Sequence, residues 1–92
     1  MEHIAQPAFD GYTLYSKSDC RFCHKAKVLL HNENYTLVEC DKYIETDRDG
    51  FLQQMRSYTG RDHNTFPMVF KDGVFVGGCS DTENYMISNS EF

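Results

Sequence analysis

Two cysteines in the segment Cys20-Arg-Phe-Cys23 are the residues of this chain whose type and spacing best suit chemistry. On a helix the second thiol lies one turn beyond the first. It is then close enough to form a disulfide with it, or to attack it after another sulfur has been captured. The attacking species is the thiolate. A free cysteine titrates near about 8.5, and a helix N-terminus with nearby cations lowers this to roughly 3.5–7.5. A helix starting at Arg21 supplies unpaired N–H groups, and Lys17 and Arg21 supply positive charge. Asp19 opposes that bias unless it is engaged as a helix cap. Nine basic against fourteen acidic residues leave a net charge of −5, yet Lys17, Arg21, Lys25 and Lys27 cluster around the cysteine pair. A local positive patch on an acidic chain points to a small anionic ligand, the plain alternative being a solvated helix face.

Other chemistries compete for the same residues. Cys20-Arg-Phe-Cys-His24 has the form of a haem attachment site, which belongs with exported chains and a distal axial ligand. The N-terminal stretch MEHIAQPAFDG lacks the basic start and apolar run of an export signal. Zinc would need two further ligands, and Cys40, Cys79 and the four histidines form no second close pair. No metal is therefore expected. The acidic balance speaks against a general nucleic-acid footprint, and no apolar run is long enough to cross a membrane. A cytoplasmic location is expected. In a reducing compartment a close cysteine pair is more often catalytic or metal-binding than structural.

The elements that position the pair follow from local patterns. Tyr12-Thr-Leu-Tyr15 reads as a strand after a loose lead-in over residues 1–11. Arg21 to about Asn32 reads as a helix with Phe22, Ala26, Leu29 and Leu30 on one face. Tyr35 to Cys40 is a second strand. Thr46-Asp-Arg-Asp49 can cap a second helix carrying Leu52, Met55 and Tyr58 or Thr59, with Gly60 ending it. Pro67 opens the strand Met68-Val-Phe-Lys71, and Asp72-Gly73 turns it into Val74-Phe-Val76. Ser80-Asp-Thr-Glu83 has the form of a capping box for a third helix reaching about Ser88. The order β-α-β-α-β-β-α predicts an α/β fold, a four-stranded mixed sheet flanked by three helices in a single domain over residues 1–92.

Taken together these segments resemble the glutaredoxin family, from Tyr12 to about Met86. Three motifs carry the resemblance in the family's order. Lys17-Ser-Asp-Cys20-Arg-Phe-Cys23-His-Lys-Ala-Lys27 is similar to its lysine, C-P-Y-C and basic helix. Thr65-Phe-Pro67 is similar to its T-V-P, and Gly77-Gly-Cys-Ser-Asp81 to its G-G-C-S-D. The resemblance implies a thioredoxin-like fold with Pro67 in the cis form, and glutathione as reductant. It implies that Cys20 forms the mixed disulfide with glutathione and Cys23 resolves disulfides. Phe22 lines the groove, the backbone of Phe66 pairs with the cysteinyl unit, and Lys17 faces the glycine carboxylate, assisted by Arg61 or Arg56. Ser80 and Asp81 hold the γ-glutamyl end. Arg21 replaces the family's usual Pro, and Arg61-Asp-His-Asn64 lengthens the stretch before Thr65. The N-terminal helix of longer members has no counterpart, and a last amphipathic helix is expected to be missing or stunted after Met86.

The function this implies is reduction of disulfide-containing and glutathionylated proteins by a monomer, with glutathione as the other partner. The alternative is a carrier that binds an iron–sulfur cluster through Cys20 and glutathione. The carrier subgroup typically has C-G-F-S, from which Cys23 departs.

Overall fold

A computed structural model describes residues 3–89 of the chain. Its elements run β1 (Tyr12–Ser16), α1 (Arg21–Leu29), β2 (Tyr35–Glu39), α2 (Asp41–Thr59), β3 (Met68–Lys71), β4 (Val74–Gly77) and α3 (Cys79–Ser88). The strands form one sheet in the order β2-β1-β3-β4. β1 pairs with β2 in parallel, Leu14 opposite Leu37, and with β3 antiparallel, Leu14 opposite Val69. β3 and β4 are antiparallel, with an irregularity between Val69 and Phe70. This is the predicted element order and the thioredoxin-like architecture that the resemblance implies.

Both faces of the sheet are covered, so β1 is buried along its whole length. Side chains alternate between two packing clusters. Tyr12, Leu14 and Val69 meet Ala26 and Leu30 of the α1 region, with Tyr85 and Met86 of α3 beside them. Tyr15, Met68, Phe70 and Phe75 face the other way onto Phe51 and Met55 of α2. The β3–β4 turn has Asp72 at φ 53 and Gly73 at φ 84, two left-handed positions that suit an Asp-Gly pair. The Asp72 carboxylate also accepts the Gly11 N–H at 2.7 Å, which clips the turn to the start of β1.

Several boundaries differ from the sequence reading. α1 ends at Leu29, and a turn carries the chain to β2. α2 begins at Asp41 rather than at Thr46–Asp49, because a short helical segment follows β2 directly. Asp47 interrupts it at φ −160, ψ 87. The Asp47 carboxylate accepts the Gly50 N–H at 3.0 Å. The cap lies one residue beyond the predicted Thr46, whose hydroxyl donates to the Lys42 carbonyl at 2.8 Å instead, and it restarts a helix rather than starting one. α3 is capped from Gly78, with Asp81 accepting the Gly78 N–H, so Ser80 sits within the first turn and is not the cap.

The lead-in has no helix or strand over residues 3–10, yet it is fastened. Ile4 is 0% exposed in the α2-side cluster, and its carbonyl accepts the Tyr58 hydroxyl at 2.7 Å. The Tyr15 hydroxyl donates to the Ala5 carbonyl. Met1 and Glu2, and the last three residues of the stretch read as a stunted C-terminus, lie outside the described residues.

Candidate active site

The site is built at the end of β1. The chain leaves the strand through Ser18, whose N–H and hydroxyl both donate to Asp41 Oδ1, at 2.9 and 2.8 Å. This ties the loop before the cysteines to the first turn of α2. The two Ser18 bonds, and behind them the charge of Lys17, hold the Asp41 carboxyl below the ordinary carboxylate range. Asp19 then takes a left-handed turn at φ 52, which short polar residues tolerate. It does not cap α1. That place belongs to Cys20, whose Sγ accepts the Cys23 N–H at 3.2 Å.

Cys20 and Cys23 are joined in a disulfide, with Cα atoms 5.2 Å apart. The two sulfurs differ in access. Cys23 is 1% exposed, packed under the helix, while Cys20 is partly exposed. An incoming thiol can therefore reach Cys20 only. The N–H that meets Cys20 Sγ is a donor a thiolate there could use, and it stands at the positive end of α1. Lys27, which the sequence grouped with the basic cluster, leans 4.0 Å from Glu39 on β2 instead.

Across from the cysteines, the Phe66–Pro67 peptide is cis, as the resemblance implies. The Phe66 ring stacks on Phe51 with centroids 5.8 Å apart, and Phe51 stacks on Tyr43 at 6.1 Å. This ladder fixes the floor of two adjoining hollows that share Thr65 and Phe66. One, of about 370 Å³, is walled by Ile44, Phe51 and Leu52 and carries Lys17, Arg48 and Asn64. The other, of about 230 Å³, is lined by Phe22, His63, Pro67, Gly78, Cys79, Ser80 and Asp81. Phe22 is 54% exposed, a large apolar ring left standing at the edge of the groove.

Lys17, Phe22, Phe66, Pro67, Ser80 and Asp81 thus line the two hollows, and Phe22, between the two cysteines in sequence, links the second to the pair. Arg61 and Arg56 line neither hollow. The Arg61 guanidinium lies 5.2 Å from the Phe75 ring, and Arg56 pairs with Asp62 at 2.9 Å. Arg48 stands with Lys17 instead. The sequence reading missed Arg48, His63 and Asp41. His63 is held edge-on to Phe75 at 5.1 Å, within the extended stretch before Thr65. Only Asp41 had a local signal, as an acid following a strand. Among the described residues, no three His, Cys, Asp or Glu side chains converge as a metal site would require.

Known proteins share this arrangement. The family model for glutaredoxin matches residues 12–76. The chain is 38% identical over 71 residues to mitochondrial glutaredoxin-2 of Rattus norvegicus, covering 75% of this chain and 43% of that protein. It is 32% identical over 73 residues to glutaredoxin 1 of Rickettsia typhi, covering 77% of this chain and 65% of the relative. The chain therefore spans less than two thirds of either relative's length. The solution structure of a dithiolic glutaredoxin from Trypanosoma brucei brucei superposes with a TM-score of 0.70 at 28% identity, over 86% of this chain and 79% of that one. A buckwheat glutaredoxin solved in complex with glutathione gives 0.68, also at 28% identity, over 84% of this chain and 68% of that one. With the motifs, the cysteine pair at the start of α1 and the cis-proline loop opposite it, these matches establish that the chain belongs to the glutaredoxin family.

Proposed function

We propose that this chain catalyses glutathione-dependent thiol–disulfide exchange, reducing protein disulfides and protein–glutathione mixed disulfides. The observation that carries the reading is the asymmetry of the Cys20–Cys23 disulfide, one sulfur partly exposed at a helix cap and the other buried.

In the single-thiol route the Cys20 thiolate attacks the glutathione sulfur of a glutathionylated protein. A Cys20–glutathione disulfide forms, and the protein leaves as a thiolate that takes a proton from water. A second glutathione thiolate attacks the glutathione sulfur of that mixed disulfide. The products are glutathione disulfide and the Cys20 thiolate. In the two-thiol route Cys20 attacks a protein disulfide, and Cys23 displaces the protein thiol to give the disulfide seen here. Two glutathione molecules then supply the two electrons that restore both thiols. Each step exchanges one S–S bond for another, so no cofactor beyond glutathione takes part.

The groove fits the ligand's charges. Glutathione has one end with a carboxylate alone, and one end with both a carboxylate and an ammonium. The hollow with Lys17 and Arg48 has no lining acid, and the hollow at the start of α3 has Asp81. We therefore place the glycine end in the first and the γ-glutamyl end in the second, where Asp81 takes the ammonium. The reading calls for a compartment rich in reduced glutathione, and we propose the cytoplasm. Turnover of a glutathionylated peptide, followed as glutathione disulfide formed, tests it. We expect activity in the parent and none in Cys20→Ser. Substantial turnover by Cys20→Ser, or none by the parent, would sink it.

A further inference from the structure

We propose that the groove between β4 and α3 is a docking surface for an extended segment of a protein substrate, the segment next to the cysteine that Cys20 captures in the two-thiol route. The inference rests on the disulfide-exchange reading above. It concerns a third hollow, apart from the two assigned to glutathione.

This hollow holds about 630 Å³, more than either of the others. It adjoins the site, because Asp81 lines both it and the hollow beside Phe22 and Pro67. A substrate chain bonded to Cys20 has to lead away from the site, and this groove offers a path that begins at Asp81.

Its make-up follows from local geometry. Val74 and Val76 are two apart on β4 and so share one face of the strand, and both line the groove. Val74 is 69% exposed, an apolar side chain left open to solvent. Phe75 between them packs into the cluster under α2. On α3, Asp81, Asn84 and Ser88 repeat at helical spacing and form the opposite wall. The Asn84 and Ser88 side chains form no hydrogen bond among the described residues, so polar groups stand free beside the apolar strand.

β4 is also the last strand of the sheet, so its outer edge has no strand beside it. Among the described residues, Val74, Phe75 and Val76 make no backbone hydrogen bond outside the sheet. An extended chain can add to such an edge through main-chain bonds and place alternate side chains in the groove. The lengths agree. Asp81 to Ser88 spans about 10 Å of helix, which an extended chain covers in about three residues, and β4 has four. Charge narrows the choice of segment. Lys71, the cation among the lining residues, is already paired with Asp72 at 3.4 Å. Asp81 remains at the end that adjoins the site, so neutral or basic segments fit better than acidic ones.

The experiment joins the Cys23→Ser chain through Cys20 either to glutathione or to a synthetic peptide with valine and lysine alternating on both sides of a central cysteine. Amide hydrogen exchange is followed in both adducts by mass spectrometry. The β4 segment should exchange roughly two- to ten-fold more slowly in the peptide adduct, the effect of one ordinary hydrogen bond. β2, the opposite edge of the sheet, should not change. With Cys23 present, Asn84→Trp should fill the groove from an exposed position of α3 and raise KM for the disulfide-linked dimer of that peptide, again about two- to ten-fold. KM for glutathionylated 2-mercaptoethanol should hold. Val28→Trp, exposed on α1 outside the groove, should change neither. Equal β4 exchange in the two adducts, or a peptide KM untouched by Asn84→Trp, overturns this inference, while turnover of the glutathionylated thiol leaves the exchange reading standing. Slowing in the glutathione adduct that grows with protein concentration would put a second copy of the chain in the groove, and overturns it as well. A parent inert toward both substrates overturns both readings.

Discussion

Cys20 and Cys40 hold the same position in two helices, the N-cap of α1 and the N-cap of α2, and their chemistry is opposite. Both stand at the positive end of a helix. Cys20 is partly exposed, accepts a backbone N–H, and is bonded to its neighbour. Cys40 is 0% exposed and makes no side-chain cap bond. Burial pushes its thiol up to about 12, against the smaller opposing pull of a backbone hydrogen bond to Ser16. Cys79 is also buried, at the start of α3. Burial raises its thiol while Lys25 pulls the other way. A helix start therefore does not activate a cysteine by itself. Access to water decides whether the thiolate can exist, and the helix end then adds its part.

The largest effect should appear in alkylation of the reduced protein. At pH 8 the buried Cys40 thiol, pushed up to about 12, should stay protonated. Iodoacetamide followed by peptide mass spectrometry should label Cys20 completely while Cys40 stays unmodified in the native protein. Equal labelling rates would abolish the contrast between the two caps.

The next effect separates the two sulfurs of the reactive pair. Cys23→Ser should still remove glutathione from a glutathionylated peptide, because Cys20 and external glutathione suffice. Its activity on a protein disulfide that needs both thiols should fall to near background. Equal loss of both activities would give the buried sulfur a structural role.

A third effect works through packing. Phe51 is fully buried in the cluster that contains Cys40. Phe51→Ala should destabilise the fold by about 3–5 kcal/mol, from lost burial and the cavity left behind. Urea titration would measure this. If burial protects Cys40, the same variant should raise its alkylation rate.

The smallest effect concerns the tether between Ser18 and Asp41. The folded Asp41 carboxyl titrates below its ordinary value near 3.8, so the unfolded state binds the proton more readily. The tether's contribution is complete above that value and is lost as pH falls through the depressed one. Asp41→Asn should remove this acid-dependent part. The parent should lose stability below about pH 4 more steeply than the variant, which thermal melts at stepped pH would show. Parallel curves would deny the tether any weight.

Much of this site could be read from residue order. The Cys20/Cys23 spacing, the Asp72-Gly73 turn and the short β-branched and aromatic run of β1 are local patterns, and local geometry follows from them. Lys17 and Asp81 came from motifs and both line the groove. Arg48 was hidden because its place depends on how α2 packs across the sheet. Arg61 and Arg56 were closer to Thr65 in sequence but found other partners, an aromatic ring and Asp62. The first turn of α2 was hidden because Cys40 offers no capping bond to announce it. The fastening of Ile4 depends on a tyrosine hydroxyl 54 residues away, which no window of sequence displays.

The sheet has one more consequence. Its strands separate two packing clusters with no buried residue in common, one under α1 and α3, the other under α2. The nucleophile caps a helix of the first layer, and Arg48 rides on the helix of the second. The two layers meet at the surface, where Ser18 holds Asp41 and where Thr65 and Phe66 serve both hollows, so a change in either layer reaches the groove through those contacts.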